Sequence, residues 1–323
     1  YTEVCLFVYG MYLNKITMAK ILIATEKPFA KVAVDGIKEV AETAGLEIVL
    51  LEKYTEKAQL LAAVADVEAM IIRSDKIDNE VFDAAKNLKI VVRAGAGYDN
   101  VDLAAATAHG VVVMNTPGQN SNAVAELVFG MLVFAVRNFY NGKAGTELKG
   151  KKLGILAYGN VGRRVAHIAK GFDMDVYAYD AYCPAAAIES DGVKAVSSQD
   201  ELFEKCEVVS LHIPATAETR QSINYALVGK MPKGGVLVNT ARKEVINEPE
   251  LLKLMQDRTD LKYVTDIMPE ADADFRILEG RYFSTPKKMG AQTAEANINA
   301  GVAAAHQIAA FFKDGCTKYQ VNK

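Results

Sequence analysis

Gly159 and Gly162 stand in the turn Ala157-Tyr158-Gly159-Asn160-Val161-Gly162, and Asp180 follows about 20 residues on. Residues of these types at this spacing can hold a dinucleotide. Gly159 lets the backbone approach a pyrophosphate, and Gly162 lets the following helix pack close to the preceding strand. The free N–H groups of the turn and helix start, from Tyr158 through Asn160 and Val161, form an anion site. Alanine takes the first of the three glycine slots. The Asp180 carboxylate can accept from adenosine ribose hydroxyls. The sequence after it, AYCPAAAIES, has no Lys or Arg to hold a 2′-phosphate, so NAD is favoured over NADP. For these residues to act together, 153–180 must run strand, turn, helix, strand. LGILAYGNVGRRVAHIAKGFDMDVYAYD supplies an apolar run at 153–157, one helix face from Val161, Val165 and Ile168, and a second apolar run at 176–179 ending in the acid.

Of the 323 residues, 50% are hydrophobic and 24% charged, a globular profile in a chain long enough for two domains with separate cores. A formal charge of −3 is too small to argue for nucleic acid or a membrane surface as partner. Cys5, Cys183, Cys206 and Cys316 form no CxxC pair, so neither a metal site nor a disulfide framework is expected, and reduced thiols fit a cytoplasmic protein. The apolar run at 4–13 is short for a membrane span and lacks basic residues ahead of it, which argues against a signal peptide. Residues 1–17 fit nothing downstream, whereas Met18-Ala19-Lys20 immediately precedes the first strand; 1–17 are expected to be an extension without structural role.

From Lys20 onward, strand and helix patterns alternate. Strands are expected at 21–24, 47–51, 69–73, 90–93 and 111–114, with helices near 32–43, 57–64, 78–85 and 103–109. Beyond Asp180, strands are expected at 193–196, 208–212, 236–239, 263–266 and 282–284. Continuous apolar strands joined by helical crossovers make parallel sheets covered on both faces. The fold class is therefore α/β, with two doubly wound parallel-sheet domains. A long helix at 120–140, apolar on more than one face, is expected to be buried, either crossing between domains and meeting a second subunit or serving as a core helix. The Ala-rich final helix, 295–312, is placed to fold back onto the first domain. Ligands of such sheets lie beyond the carboxyl ends of the strands, where His212, Pro214, Thr240, Ala241, Arg242, Asp266 and the run Thr285-Pro286-Lys287-Lys288 fall.

RAGAGYDNVD (93–102), NTPGQNSNAVAELV (115–128), LGILAYGNVGRRVA (153–166), VVSLHIPATAETR (208–220) and MPKGGVLVNTARKEVINEPELL (231–252) resemble, in order, signature blocks of the D-2-hydroxyacid dehydrogenase family, and within it the short 3-phosphoglycerate dehydrogenases. The resemblance runs from Ala19 to Lys323. It implies two Rossmann-like domains with an inter-domain active-site cleft: a substrate-binding domain of 18–118 plus 296–323, and an NAD-binding domain of 119–295. The NAD would lie against Tyr158, Gly159, Asn160, Val161, Gly162, Asp180, His212 through its backbone, Pro214, Thr219, Thr240, Ala241 and Asp266. The implied partners are a small-molecule substrate and a second copy of the chain, with no metal, nucleic acid or membrane. No block after the last helix resembles the regulatory domain of longer members, so feedback through such a domain is not expected.

The family's pattern also carries a catalytic arginine, a catalytic glutamate and a histidine after Thr-Pro. Arg242 fills the first slot, although Lys243 stands where the family usually has glycine. Asp266 matches the acid that contacts the nicotinamide amide, and Glu270 lies one place ahead of the glutamate's slot. No histidine follows Thr285-Pro286. Counting from Pro286 puts Lys287 in its place, while counting back from Gly290, Thr293 and Glu295 puts Lys288 there; Lys288 is preferred because the start of the next helix fixes the geometry better. The implied reaction moves a hydride from C2 of D-3-phosphoglycerate to NAD, giving 3-phosphohydroxypyruvate at the entry to serine synthesis. Lys288 would take the hydroxyl proton, its pKa brought down from about 10.4 by burial and by the charges of Arg242 and the neighbouring Lys287. A lysine has no tautomer for a carboxylate to fix, so a displaced Glu270 costs less than it would beside histidine. Arg242 would hold the substrate carboxylate together with the N–H groups of Gly95, Ala96 and Gly97. Arg73 and Ser74, with Lys27 and Lys76 close by, would take the phosphate. A glyoxylate or hydroxypyruvate reductase and a non-catalytic NAD-sensing protein are the competing readings. His109, His167 and His306 sit on helical stretches and are expected to be packing or surface residues.

Overall fold

The computed structural model describes residues 18–323, so the expectation for 1–17 lies outside the described residues. Five strands, β1 (Lys20–Thr25), β2 (Glu47–Glu52), β3 (Ala69–Ile72), β4 (Ile90–Arg93) and β5 (Val112–Asn115), make one parallel sheet in the order β2-β1-β3-β4-β5. Seven more make a second: β6 (Lys152–Leu156), β7 (Asp175–Tyr179), β8 (Lys194–Ala195), β9 (Val208–Leu211), β10 (Val236–Asn239), β11 (Lys262–Thr265) and β12 (Tyr282–Ser284). Their order is β12-β11-β10-β9-β6-β7-β8. Central strands such as Ala-Met-Ile-Ile of β3 and Val-Leu-Val-Asn of β10 are buried at every position. That follows from helices covering both faces, and it is why these strands read as apolar runs rather than as alternation.

Register decides which residues meet at the carboxyl edge. Tyr179, Leu156, Leu211, Asn239, Thr265 and Ser284 are paired in one row across the second sheet. The residues that follow them, Asp180, Ala157, His212, Thr240, Asp266 and Thr285, therefore emerge side by side. The chain leaves β6 toward β7 and β8, then returns to β9 on the other side, so the topological switch point that forms a ligand crevice lies between β6 and β9. In the first sheet the corresponding row is Ala24, Ile72, Arg93 and Asn115.

Two long helices join the halves. The helix Ser121–Val136 is shorter than the expected 120–140. At its end Lys262 donates to the Ala135 carbonyl at 2.7 Å and to Asn138 Oδ1 at 2.7 Å, and Asn138, Phe139 and Tyr140 then turn through left-handed φ values of 52°, 54° and 54°. Phe139 and Tyr140 pack edge-on to Phe134, a contact that 3.6-residue periodicity does not reveal. The helix Ala294–Asp314 starts with Thr293 Oγ1 accepting the Ala296 N–H and stops at Gly315, whose φ is +65°. It folds back onto the first sheet. Ala300, Ala304, Ala305 and Ile308 share a core with Ile21 and Ile23, and at Gly301 a Cβ would meet the Ile37 side chain at 3.0 Å, so a larger residue there would have to push Ile37 aside.

Candidate active site

The glycine turn has the expected form with one surprise. A Cβ at Gly162 would sit 2.4 Å from the Ala157 carbonyl oxygen, which makes that glycine the point of closest helix–strand packing. Gly159 faces open space. Ala157, in the first glycine slot, itself adopts φ +77°, a conformation that costs a side-chain-bearing residue about 1 kcal/mol or more. The backbone shape is kept and alanine bears the strain. Among the described residues the N–H groups of Asn160, Val161 and Gly162 have no acceptor in the protein, as at any uncapped helix start.

Asp180 accepts from the N–H groups of Tyr158 (2.7 Å), Tyr182 (2.7 Å) and Cys183 (2.8 Å). Burial alone would raise its pKa, but these three donors outweigh burial and hold it below the ordinary carboxylate range. Its Oδ2 receives one bond and keeps acceptor capacity for a hydroxyl. Arg163 lies nearby but is paired with Asp191, so no free guanidinium faces the acid from that helix.

Along the same edge, His212 is held neutral: burial pushes its pKa down to about 3, and its Nε2 meets Ser210 Oγ at 2.9 Å. Its backbone N–H goes to the Leu156 carbonyl, so the backbone contribution expected of it runs inward to the sheet. Thr219 braces the loop after β9, donating to the Pro214 carbonyl at 2.5 Å and accepting from the Thr216 N–H at 2.7 Å. Thr240 is buried and its hydroxyl has no partner. An orphaned buried hydroxyl, open space over Gly159 and free helix-start N–H groups, all on the switch-point side, fit a dinucleotide laid across the edge.

Two cationic side chains converge on one oxygen. Asn239 clamps the loop after β10, donating to the Arg242 carbonyl (3.0 Å) and accepting from the Ala241 N–H (3.0 Å). The Ala241 carbonyl then accepts from Arg242 Nη1 at 2.9 Å and from Lys288 Nζ at 3.1 Å. Burial of the ammonium first, and the Arg242 charge second, bring the Lys288 pKa down to about 8. Lys288 as a whole residue is exposed, while its ammonium is hydrogen-bonded to the Ala241 carbonyl. Lys287 is exposed and makes no such contact. Asp266, fully buried, shapes this loop: it accepts from Thr285 Oγ1 (3.0 Å) and from the N–H groups of Met289 (2.7 Å) and Gly290 (2.7 Å).

Other expectations need correction. Glu270 is not brought to Lys288: its side chain is 81% exposed and pairs with Lys243 at 2.8 Å. The carboxylates that act on Lys288 are Asp266, Glu244 and Asp99. Across the cleft, the Gly95 N–H is spent on Thr116 Oγ1 at 2.6 Å, which leaves the N–H groups of Ala96 and Gly97 without a partner among the described residues. Arg242 reaches that turn, its Nη2 lying 3.7 Å from where a Gly97 Cβ would be. Arg73 does not present a free fork: it donates to the carbonyls of Lys27 (2.9 Å) and Pro28 (3.1 Å) and to Asn297 Oδ1 (2.6 Å). Ser74 is exposed at the rim. The structure also brings in Arg93, which the sequence reading passed over although it opens the block RAGAGYDNVD; its position at a strand's carboxyl end was the available signal.

Two parallel sheets, a glycine turn at the switch point of the second and a cationic pair after β10 and β12 define a class of protein that the comparisons identify. Residues 130–282 match the NAD binding domain of the D-isomer specific 2-hydroxyacid dehydrogenases. The chain belongs to that family. It is 33% identical over 291 residues to D-3-phosphoglycerate dehydrogenase of Methanocaldococcus jannaschii, covering 85% of this chain and 55% of that protein. It is 34% identical over 284 residues to hydroxypyruvate reductase of Thermotoga maritima, covering 81% of this chain and 90% of that one. Among solved structures, an NAD+-bound 3-phosphoglycerate dehydrogenase of Entamoeba histolytica superposes with TM-score 0.83 at 48% identity, over 95% of this chain and 99% of that one. The chain spans about half the length of the curated phosphoglycerate dehydrogenases it matches. Among the described residues no helix is long and apolar enough to cross a membrane, and no group of His, Cys, Asp or Glu side chains is placed to hold a metal ion.

Proposed function

We propose that the protein is an NAD-dependent dehydrogenase oxidising D-3-phosphoglycerate to 3-phosphohydroxypyruvate. The observation that carries this reading is the shared Ala241 carbonyl, which sets an amine of lowered pKa beside a guanidinium at the carboxyl edge of the family's NAD-binding domain. NAD supplies the acceptor for the hydride. Asn160, Val161 and Gly162 would hold its pyrophosphate, Asp180 a ribose hydroxyl, and Thr240 the nicotinamide end.

Arg242 and the N–H groups of Ala96 and Gly97 hold the substrate carboxylate, which fixes C2 over the cofactor site. Lys288, as free amine, accepts the C2 hydroxyl proton in oxidation and returns it in reduction. A lysine with a pKa near 8 is about one-tenth free amine at pH 7, against less than one part in a thousand at the ordinary value. Asp266 sets the loop that carries it, and Glu270 takes no part. We also place the protein in the cytoplasm as a homodimer. Cys183, Cys206 and Cys316 are free thiols, and Tyr140 stands 65% exposed at the end of the Phe134 cluster, a surface suited to a second copy. Sedimentation of the purified chain checks the dimer.

The Thermotoga relative, matched over 90% of its length, supports a second reading as hydroxypyruvate reductase. NADH absorbance with 3-phosphoglycerate and NAD, with hydroxypyruvate and NADH, and with neither substrate separates the two readings from a non-catalytic NAD-binding protein. The first is upheld by turnover of 3-phosphoglycerate with the higher kcat/KM, and is lost if only hydroxypyruvate reacts.

A further inference from the structure

Two hydrogen bonds link the Ala96–Gly97 turn to a cavity that the proposed chemistry does not use. The cavity holds about 300 Å³, at the lower end of the range for small-molecule sites. Its apolar lining comes from Met114 of β5, from Pro117 where the chain crosses toward the helix Ser121–Val136, and from Ala303, Ala310 and the Tyr319 ring. Flat and polarisable surfaces of this kind suit an aromatic ring. No Asp or Glu lines it.

Two polar side chains complete it. Gln307 Nε2 donates to the Asn115 carbonyl at 3.0 Å, and because a carbonyl only accepts, the amide orientation is settled and Oε1 is the atom left over. That oxygen is buried and has no partner among the described residues. A buried acceptor without a donor is costly. Lys318 is exposed at the mouth, its ammonium over the Tyr319 ring at 5.3 Å from the centre, and it forms no ion pair among the described residues. An apolar chamber with an orphan acceptor inside and an uncompensated cation outside is complementary to an apolar body that carries a hydroxyl at one end and a carboxylate at the other.

Asn115 is where this cavity meets the turn. Its Nδ2 donates to the Ala96 carbonyl at 2.6 Å, and Thr116 beside it exchanges two hydrogen bonds with Gly95. Gln307 thus braces the strand end that braces the turn. We propose that the cavity is an effector site for a small aromatic carboxylate bearing a hydroxyl, and that its occupation weakens substrate binding. Because Gln307 Oε1 is covered, the ligand's hydroxyl reaches it as the amide turns, and that turn draws Nε2 off the Asn115 carbonyl and loosens the hold on Ala96. The effect on substrate rests on the reading above that the Ala96 and Gly97 N–H groups hold the substrate carboxylate; the site itself does not.

The test uses the full chain with 4-hydroxyphenylacetate as probe. Cys316 lines the same cavity and is exposed, so its alkylation by iodoacetamide, followed on its own peptide by mass spectrometry, reports occupancy without substrate or turnover. Millimolar probe is expected to slow alkylation of Cys316 and not of Cys183. It should raise KM about fivefold or more, with kcat within about twofold, for whichever of 3-phosphohydroxypyruvate and hydroxypyruvate the enzyme reduces. Phenylacetate, which lacks the hydroxyl, should protect Cys316 less and leave KM unmoved. Lys318→Gln, a surface change, should weaken protection about two- to fivefold. Ala303→Phe, which fills the cavity from a partly exposed helix position, should abolish both effects and keep basal turnover. Absence of Cys316 protection in the wild type, or protection that Lys318→Gln leaves unchanged, overturns the site. Protection without a KM change overturns the link to the turn, and a KM effect that survives Ala303→Phe puts the probe in the cleft and overturns the proposal outright. If the wild type fails to oxidise 3-phosphoglycerate, the phosphoglycerate reading falls while the Cys316 measurement still decides the site.

Discussion

Lys262 and Lys288 stand at opposite ends of the seven-stranded sheet, and both lose affinity for their proton through burial. Lys262 begins β11, where its ammonium meets two oxygens at 2.7 Å and lies over the Phe139 ring. Burial is its one perturbation. Lys288 follows β12, meets a single carbonyl oxygen, and has a guanidinium for a neighbour. The amino-terminal lysine is satisfied and serves as a helix stop. Its counterpart at the carboxyl end is under-satisfied and pushed by like charge. Burial alone does not distinguish a structural lysine from one proposed to exchange protons with substrate; the number of acceptors and the sign of the nearest charge do.

The largest effect that comparison predicts is kinetic. Lys288→Met should lower kcat for 3-phosphoglycerate oxidation by about 10²- to 10⁴-fold, the usual contribution of a general base. Retention of more than about a tenth of wild-type turnover would remove Lys288 from the chemistry. Thermal melting of the same variant should show no loss of stability, since the substitution deletes an unfavourable charge. Lys262→Met should do the reverse. It leaves the Ala135 carbonyl and Asn138 without their donor, at about 1–3 kcal/mol, or several degrees in Tm for a domain of this size. Turnover should stay within about twofold of wild type, and a larger kinetic loss would show that the two ends of the sheet are not independent.

A smaller effect sharpens the contrast through pH. Oxidation needs the free amine, so its rate should rise with pH and level off near the Lys288 pKa of about 8, whereas reduction, needing the ammonium, should fall across the same range. Stability carries the same signature with a definite sign. The unfolded lysine binds its proton more tightly than the folded one, so between the folded value of about 8 and the ordinary value the unfolded state holds more protons and stability rises with pH. Lys288→Met should lose that part of the slope. An oxidation profile with its inflection well below neutrality would point to another base.

Much of this was legible before any coordinates. Apolar runs bounded by turn residues located the strands to within a residue or two at most ends, because parallel strands buried on both faces leave little freedom in composition. The glycine turn was legible for a similar reason: at Gly162 backbone contact leaves no alternative. What the sequence hid lies in conformation and in long-range pairing. Ala157 reads as a defect in the motif, yet the fold forces it through φ +77°. The helix end at Val136 is held by Lys262, a residue more than a hundred positions away, a pairing that no local pattern reveals. Arg73 looked free because its acceptors, Lys27, Pro28 and Asn297, come from other segments, and Arg93 was overshadowed by the glycines beside it.

Glu270 shows how counting along a loop goes astray, and it gives the smallest expected effect. Its slot was assigned by offset from Asp266, but Asp266 turns the chain into the lysine loop, while the segment from Ile267 onward leads outward. Glu248 accepts the Glu270 and Ala271 N–H groups there at 3.1 and 2.9 Å. Lys243, standing where the family usually has glycine, then meets the Glu270 carboxylate at the surface. An exposed, solvent-screened pair of this kind adds little to stability. Glu270→Gln should therefore leave kcat and KM within about twofold of wild type and the oxidation pH profile unmoved, because the groups that set the Lys288 pKa are Arg242, Asp266, Glu244 and Asp99. Glu244→Gln, by contrast, should shift the inflection to lower pH, since it deletes a negative charge that favours the ammonium. If Glu270→Gln moved the inflection and Glu244→Gln did not, the carboxylate facing the lysine would be the one the family's spacing named, and the loop after β11 would have to close over the cleft during turnover.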